Sequence, residues 1–209
     1  MVKSDSLMAQ DRNTEELIIE AAKKIFVQRG LAGARMQDIA DEAGINKAML
    51  HYYYRSKEKL FEIIFDEAFG KVIGQLGSIV TQDMPVKEKI IALVDSYIGN
   101  LSQTPYLPLF ILNEVNQNPE RIVQKLKSQV AFPNMMVFLK EIVEAGKKGI
   151  IREVSPVQLF MNLLSMCIFP FAARPLIQGV MQMDNIQYDM LIEERKKLVA
   201  DVLLKWIEP

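Results

Sequence analysis

Lys47, His51 and Tyr52 are the side chains whose types and spacing most clearly specify chemistry. In the run Asn46 to Tyr54, Lys47, Ala48, His51 and Tyr52 fall at i, i+1, i+4 and i+5, which puts them on one face of a helix. Leu50 and Tyr54 fall on the other face, with Ile45 beside them at the preceding turn. A cation, a small residue, an imidazole and a phenol on one exposed face can bond base edges and phosphates. Arg55, Ser56, Lys57 and Lys59 follow directly. Ser56 can cap a helix starting at Lys57, and that ammonium beside free N-terminal N–H groups suits a phosphate oxygen. From Gly44 to Leu60 four cations stand against Glu58 alone, a net +3, whereas the whole chain carries −1. A local basic patch on a nearly neutral protein is enough for the phosphate term of nucleic-acid binding.

Catalytic chemistry finds little foothold. His51 is the only histidine and Cys167 the only cysteine, so no Ser-His-Asp or Cys-His set can form away from this face. There is no His/Cys/carboxylate cluster at metal-ligand spacing and no glycine-rich phosphate loop. The pairs Glu15-Glu16 and Glu193-Glu194 read as solvated charge. Cys167 excludes an intrachain disulfide and lies in the apolar run Leu159 to Ala173, where a buried, inert thiol is expected. The expectation is a protein that is not an enzyme and holds neither metal nor cofactor.

The elements that must position this face are legible upstream. Met36, Ile39, Ala40 and Ala43 form the apolar stripe of an amphipathic helix. Gly44 supplies a left-handed C-terminal position, Ile45 plugs the turn, and Asn46 caps the next helix. Ala40 is small enough to let two helices cross closely after so short a turn. This is the layout of a helix-turn-helix, whose second helix enters the major groove of DNA. Asn13 or Thr14, with Glu16, can cap an earlier helix carrying Leu17, Ile18, Ala21, Ala22, Ile25 and Phe26, closed by Arg29-Gly30.

On these residues the chain resembles the TetR family of bacterial transcriptional regulators. The resemblance spans residues 14–61, roughly a quarter of the chain. It rests on Ala21, Ala22, Phe26 and Gly30, on the Asp38-Ile39-Ala40 and Ala43-Gly44-Ile45 runs, and on the Tyr52 to Leu60 segment. The chain departs from the family pattern at Arg35, where a hydroxyl cap is usual, at Met49, where a hydroxyl residue is usual, and at His51, where tyrosine is usual. The candidate DNA contacts are Arg35, Asn46, Lys47, Ala48, Met49, His51, Tyr52, Tyr53 and Lys57.

The rest of the chain reads as helix after helix, and the fold class expected is all-α. Residues 1–12 are expected as a mobile arm, 13–60 as the DNA-binding domain, and 61–209 as a larger ligand-binding and dimerisation domain. A helix from Lys57 reaches about Leu76, another runs from Pro85 to Leu101, and a short one opens at Pro105 or Pro108. Asn118-Pro119-Glu120 opens a further one ending near Lys148-Gly149, with Pro133 kinking or dividing it. Ser155-Pro156-Val157-Gln158 is a strong start signal, and a last helix runs from about Ile186 to Ile207. The last two long helices carry apolar residues on more than one face, which points to a partner surface at Leu159, Leu163, Val199, Val202, Leu203 and Trp206.

The resemblance implies a homodimer joined through those two helices as a four-helix bundle, and a pocket for a small molecule whose binding alters the spacing of the reading heads. Pocket candidates are Phe110, Asn113, Met135, Phe138, Met161, Met166 and Phe169, with Glu114, Asn134 and Asn162 as further polar anchors. Twelve methionines favour a hydrophobic or amphipathic effector. The functional expectation is a cytoplasmic DNA-binding regulator, a repressor by preference, that binds a palindromic double-stranded operator and no membrane. The alternative is an all-helical ligand-binding or adaptor dimer that has lost DNA reading.

Overall fold

Among the described residues, glycines, prolines and side-chain caps separate eleven helices, with no strand. The computed structural model describes residues 13–117, 119–129, 132 and 134–209 in full, and the backbone alone of 2–12 and 133. The arm expected at 1–12 and the opening at Asn118 lie outside the fully described residues. The chain divides into two units, Met1–Phe69 and Gly70–Pro209.

The first unit is built from α1 (Val2–Gly33), α2 (Met36–Glu42), α3 (Lys47–Tyr53) and the start of α4 (Lys57–Val80). Asn13 and Thr14 lie within α1 and not at its start. Gly30 interrupts α1 with φ 64 and ψ 175, leaving one further turn before Ala34. A residue with a Cβ resists that conformation. Ile18, Ala22, Ile25 and Phe26 of α1 are buried with Ile39, Ala40, Leu50, Leu60, Phe61, Ile64 and Phe65. Phe26 meets Phe61 edge to face at 5.3 Å, and Phe61 stacks on Phe65 at 5.9 Å. Each such side chain contributes about 1.5–3 kcal/mol when fully buried. These contacts draw the first turns of α4 into the small unit, so the division falls at Phe69/Gly70 and not at the expected residue 60.

In the second unit follow α5 (Val86–Gln103), α6 (Leu107–Gln117), α7 (Pro119–Ser128), α8 (Phe132–Lys147), α9 (Pro156–Ala172), α10 (Arg174–Met181) and α11 (Asn185–Trp206). α5 packs against both α9 and α11. The helix expected from residue 118 to 149, with Pro133 kinking or dividing it, is divided into α7 and α8. The sequence pattern did not reveal α10. The last helix, expected from about Ile186, begins at Asn185, where Asp184 and Gln187 form a reciprocal capping box. Ser155 caps α9 through the Gln158 amide.

Pro170 sits inside α9. It has no N–H to give the carbonyl of Met166, one turn earlier. Arg195 on α11 supplies the missing donor, its Nε lying 3.0 Å from that oxygen. The Tyr188 hydroxyl donates to the Pro170 carbonyl at 2.7 Å in the same buried seam. A defect in α9 is thus repaired by α11, which fixes the two against each other in register.

The expected partner surface needs correcting. Leu159, Leu163, Val199 and Leu203 are each no more than 5% exposed and belong to the core of this chain. Val202 is exposed, and Trp206 is half-buried beneath the Arg152 guanidinium at 5.8 Å. Because both helices are apolar around more than one face, sequence could not say which stripe α5 would claim. The stripe left outside is Val157, Met161 and Phe169 on α9, with Met190, Leu198 and Val202 on α11.

Candidate nucleic-acid interface

The reading helix is placed by a short, fully specified turn. Gly44, at φ 68, lets its own N–H reach the Asp41 carbonyl and the Ile45 N–H reach Ala40 at 3.0 Å. These bonds satisfy the end of α2 and reverse the chain. Asn46 Oδ1 then accepts from the Met49 amide at 2.7 Å, starting α3. Asn46 Oδ1 is thereby engaged in the cap, and its amide NH₂ can donate to a ligand. The Leu50 side chain is the anchor, completely buried, and the Tyr54 N–H closes the helix on the Leu50 carbonyl at 2.8 Å.

With Leu50 inward, Lys47, Ala48, Met49, His51 and Tyr52 are exposed, Tyr52 at 84%. Tyr53 is half-buried and meets the Tyr52 ring edge-on at 5.4 Å. Tyr54 is half-buried beneath the helix, where burial first and then the charges of Glu15 and Glu67 push its phenol upward. Tyr54 is thus part of the support and Tyr52 part of the free face. Arg35, at the N-cap position of α2, is exposed and makes no side-chain cap bond. α2 is held to α1 by Lys24–Glu42 and Arg29–Asp38, both at 2.5 Å. Sequence reasoning passed over these pairs; being exposed, they contribute a few tenths of a kcal/mol to about 1 kcal/mol each.

Lys57, expected as a phosphate contact, is engaged by the protein's own backbone. Its Nζ donates to the carbonyls of Leu31 at 2.8 Å, Ala32 at 3.1 Å and Ala34 at 2.9 Å. An ammonium has three hydrogens, and all three are directed at the broken end of α1. Those carbonyls are orphans because Gly30 leaves only one turn of helix after it. A cation suits a helix C-terminus for the same reason. The signal lay in sequence as a glycine-broken helix followed, at distance, by a lysine at a helix start. Ser56 does cap α4, its Oγ accepting from the Lys59 amide at 3.2 Å.

The pocket candidates in the second unit differ in burial. Phe110 and Phe138 are buried, and Met135 and Met166 are half-buried. Asn113, Met161 and Phe169 face outward, the last two lying on the outer stripe of α9. Helical spacing alone cannot distinguish a lining residue from one a third of a turn away. Buried polar groups also occur in this unit. Glu114 is 3% exposed and pairs with Arg121 at 3.2 Å, and Asn100 is also buried. Lys89, 3% exposed, donates to Glu141 Oε2 at 2.6 Å and to the Val80 carbonyl at 2.8 Å. Among the described residues there is no metal-ligating cluster, and no single helix is long and apolar enough to cross a membrane.

Comparison with known proteins bears on this arrangement. Residues 18–64 match the family described as bacterial regulatory proteins, tetR family, and residues 86–203 match a tetracyclin repressor-like C-terminal domain. The chain is 25% identical to the HTH-type transcriptional repressor NicS of Pseudomonas putida, over 84% of each chain. It is 22% identical to the fatty acid metabolism regulator protein of Bacillus subtilis, over 75% of this chain and 80% of that one. The fold is similar to that of the fatty acid degradation regulator FadR from Bacillus halodurans, with TM-score 0.60, 20% identity and coverage of 90% and 93%.

Proposed function

Since the chain belongs to the TetR family and is a transcriptional regulator, we propose that it is a homodimeric repressor that reads a palindromic operator through α3 and is released by a small hydrophobic or amphipathic effector. The observation that carries the DNA reading is the exposed face Lys47, Ala48, His51 and Tyr52, opposite the fully buried Leu50. One short helix contacts only a few base pairs, so two copies related by two-fold symmetry are needed to select a site. The outer stripe of α9 and α11 is the surface that would join them. Arg35, Met49 and Tyr53 flank the reading face as secondary contacts. The action is binding alone, with no catalytic step.

Two relatives named for fatty-acid regulation make fatty acids the first effector class to try. NicS, a named repressor, supports the sign of regulation. The effector would sit in the second unit, near the buried Phe110, Glu114 and Phe138.

The test is enrichment of random duplexes on the purified protein, followed by the variant with alanine at positions 47, 51 and 52. The parent should enrich a palindrome. The variant should keep the parent's stability to within about 0.5 kcal/mol, because exposed changes perturb the core little. Its discrimination against scrambled duplex should narrow by roughly 1–3 kcal/mol for each base contact removed. A parent that enriches no duplex would overturn the reading in favour of a ligand-binding or adaptor dimer. A variant that still picks the same palindrome would move the readout off α3.

A further inference from the structure

The ring of His51 meets the protein through one nitrogen only. Nδ1 lies 3.2 Å from the backbone carbonyl of Arg55, and the other ring nitrogen has no partner among the described residues. A carbonyl oxygen can only accept, so Nδ1 must carry the proton of this bond. In the neutral ring, Nε2 then keeps its lone pair. The tether has a local cause. His51 lies in the last turn of α3, and the extended Tyr54 C-cap carries the chain on to Arg55, placing that carbonyl within reach of the ring. One bond thereby fixes both the tautomer and the direction of the imidazole. The side chain is exposed on the same face as Lys47, one turn earlier, and Tyr52.

We propose that His51 Nε2 is a hydrogen-bond acceptor that selects a base presenting an exocyclic amino group in the major groove, N4 of cytosine or N6 of adenine. This rests on α3 reading DNA as proposed above. For the neutral ring the other partners are excluded by chemistry. Phosphate oxygens, guanine O6 and N7, and thymine O4 are all acceptors, and a neutral Nε2 has no hydrogen to offer them. Lys47 has the opposite character, donors only. The face therefore presents a donor and, one helical turn on, an acceptor, and the two call for different base edges. His51 determines specificity, and backbone anchoring falls to other residues.

His51 is the only histidine, so a protein labelled with ¹⁵N-histidine gives the two ring nitrogens of this one residue. In the free protein at about pH 8, Nδ1 should show the chemical shift of a protonated nitrogen and Nε2 that of an unprotonated one. The reverse pattern, or the averaged shifts of a freely exchanging ring, would overturn the proposal without touching DNA binding. On the selected duplex, each enriched adenine is then replaced in turn by purine, and each enriched cytosine by 2-pyrimidinone, which lack only the amino group. At one symmetric position the parent should lose roughly 5- to 150-fold in affinity, while His51→Leu should bind the amino and deamino duplexes equally. Equal loss in the parent and in His51→Leu at every position would assign the amino group to another residue and overturn the proposal. A parent that selects no duplex would refute the regulator reading itself, and this inference with it; the spectrum and the binding assay thus separate the two failures.

Discussion

Replacing Lys57 by methionine keeps an unbranched apolar stem and removes the ammonium alone. Three donors to the carbonyls of Leu31, Ala32 and Ala34, at 2.8, 3.1 and 2.9 Å, disappear together. A hydrogen bond to a charged group contributes about 1.5–3 kcal/mol. Lys57 is half-buried, however, and the freed carbonyls regain some water, so the three together should be worth nearer one such bond, about 2 kcal/mol. For a small unit with an m-value of about 1–3 kcal/mol per molar urea, the midpoint should fall by about 1 M. The single tryptophan, Trp206, lies in the second unit, so its fluorescence does not follow this change. Hydrogen exchange at the amides of α1 and α2 does, and it should accelerate there while α5 and α11 keep their protection. Lys57→Arg, which keeps the charge and donors, should recover part of the loss. Salt titration of operator binding separates the two roles of the residue. If Lys57 holds α1, affinity falls with the slope of log affinity against log salt unchanged. Removal of a phosphate ligand would instead lower that slope by about 0.9 for each phosphate no longer neutralised. A Lys57→Met protein with unaltered stability and a reduced slope would refute the cap.

Arg195→Leu should leave the Met166 carbonyl without a donor and destabilise the second unit by about 1–3 kcal/mol; adding Pro170→Ala restores the helical N–H and should return most of that loss in a double-mutant cycle. Leu198→Glu with Val202→Glu, both on the outer stripe, should give a folded monomer by sedimentation, whereas Leu203→Glu, 1% exposed, should unfold the unit; a persistent dimer in the first case would place the interface elsewhere. The Cys167 thiol is pushed up to about 12 by burial, against a smaller opposing effect of Arg195. An acid whose folded value is raised ionises first in the unfolded chain, so this stabilisation is complete below about pH 8.5 and is lost as pH rises toward 12. Cys167→Ala should flatten the alkaline fall in melting temperature, and Ellman's reagent should label no thiol until denaturant is added. Rapid labelling of the native protein would contradict the burial.

The helix-turn-helix was legible in the sequence because its determinants are local. A glycine at positive φ, an asparagine cap and a four-residue spacing between Leu50 and Tyr54 act within one or two turns of themselves, so order and spacing determine the geometry. The all-helical class followed from the same caps and periods. What tertiary structure alone decided are choices among competing partners. Lys57 could have met a phosphate or a carbonyl, and the distant break at Gly30 supplied three carbonyls. Leu159, Leu163, Val199 and Leu203 could have joined two chains or one, and α5 took them, leaving Met161, Leu198 and Val202 outside. Arg195 reads in sequence as one more charge on a helix, and only the folded chain brings it to the carbonyl that Pro170 leaves without a donor. Local backbone preference is written residue by residue, whereas the partner of a long side chain depends on which elements approach it through space.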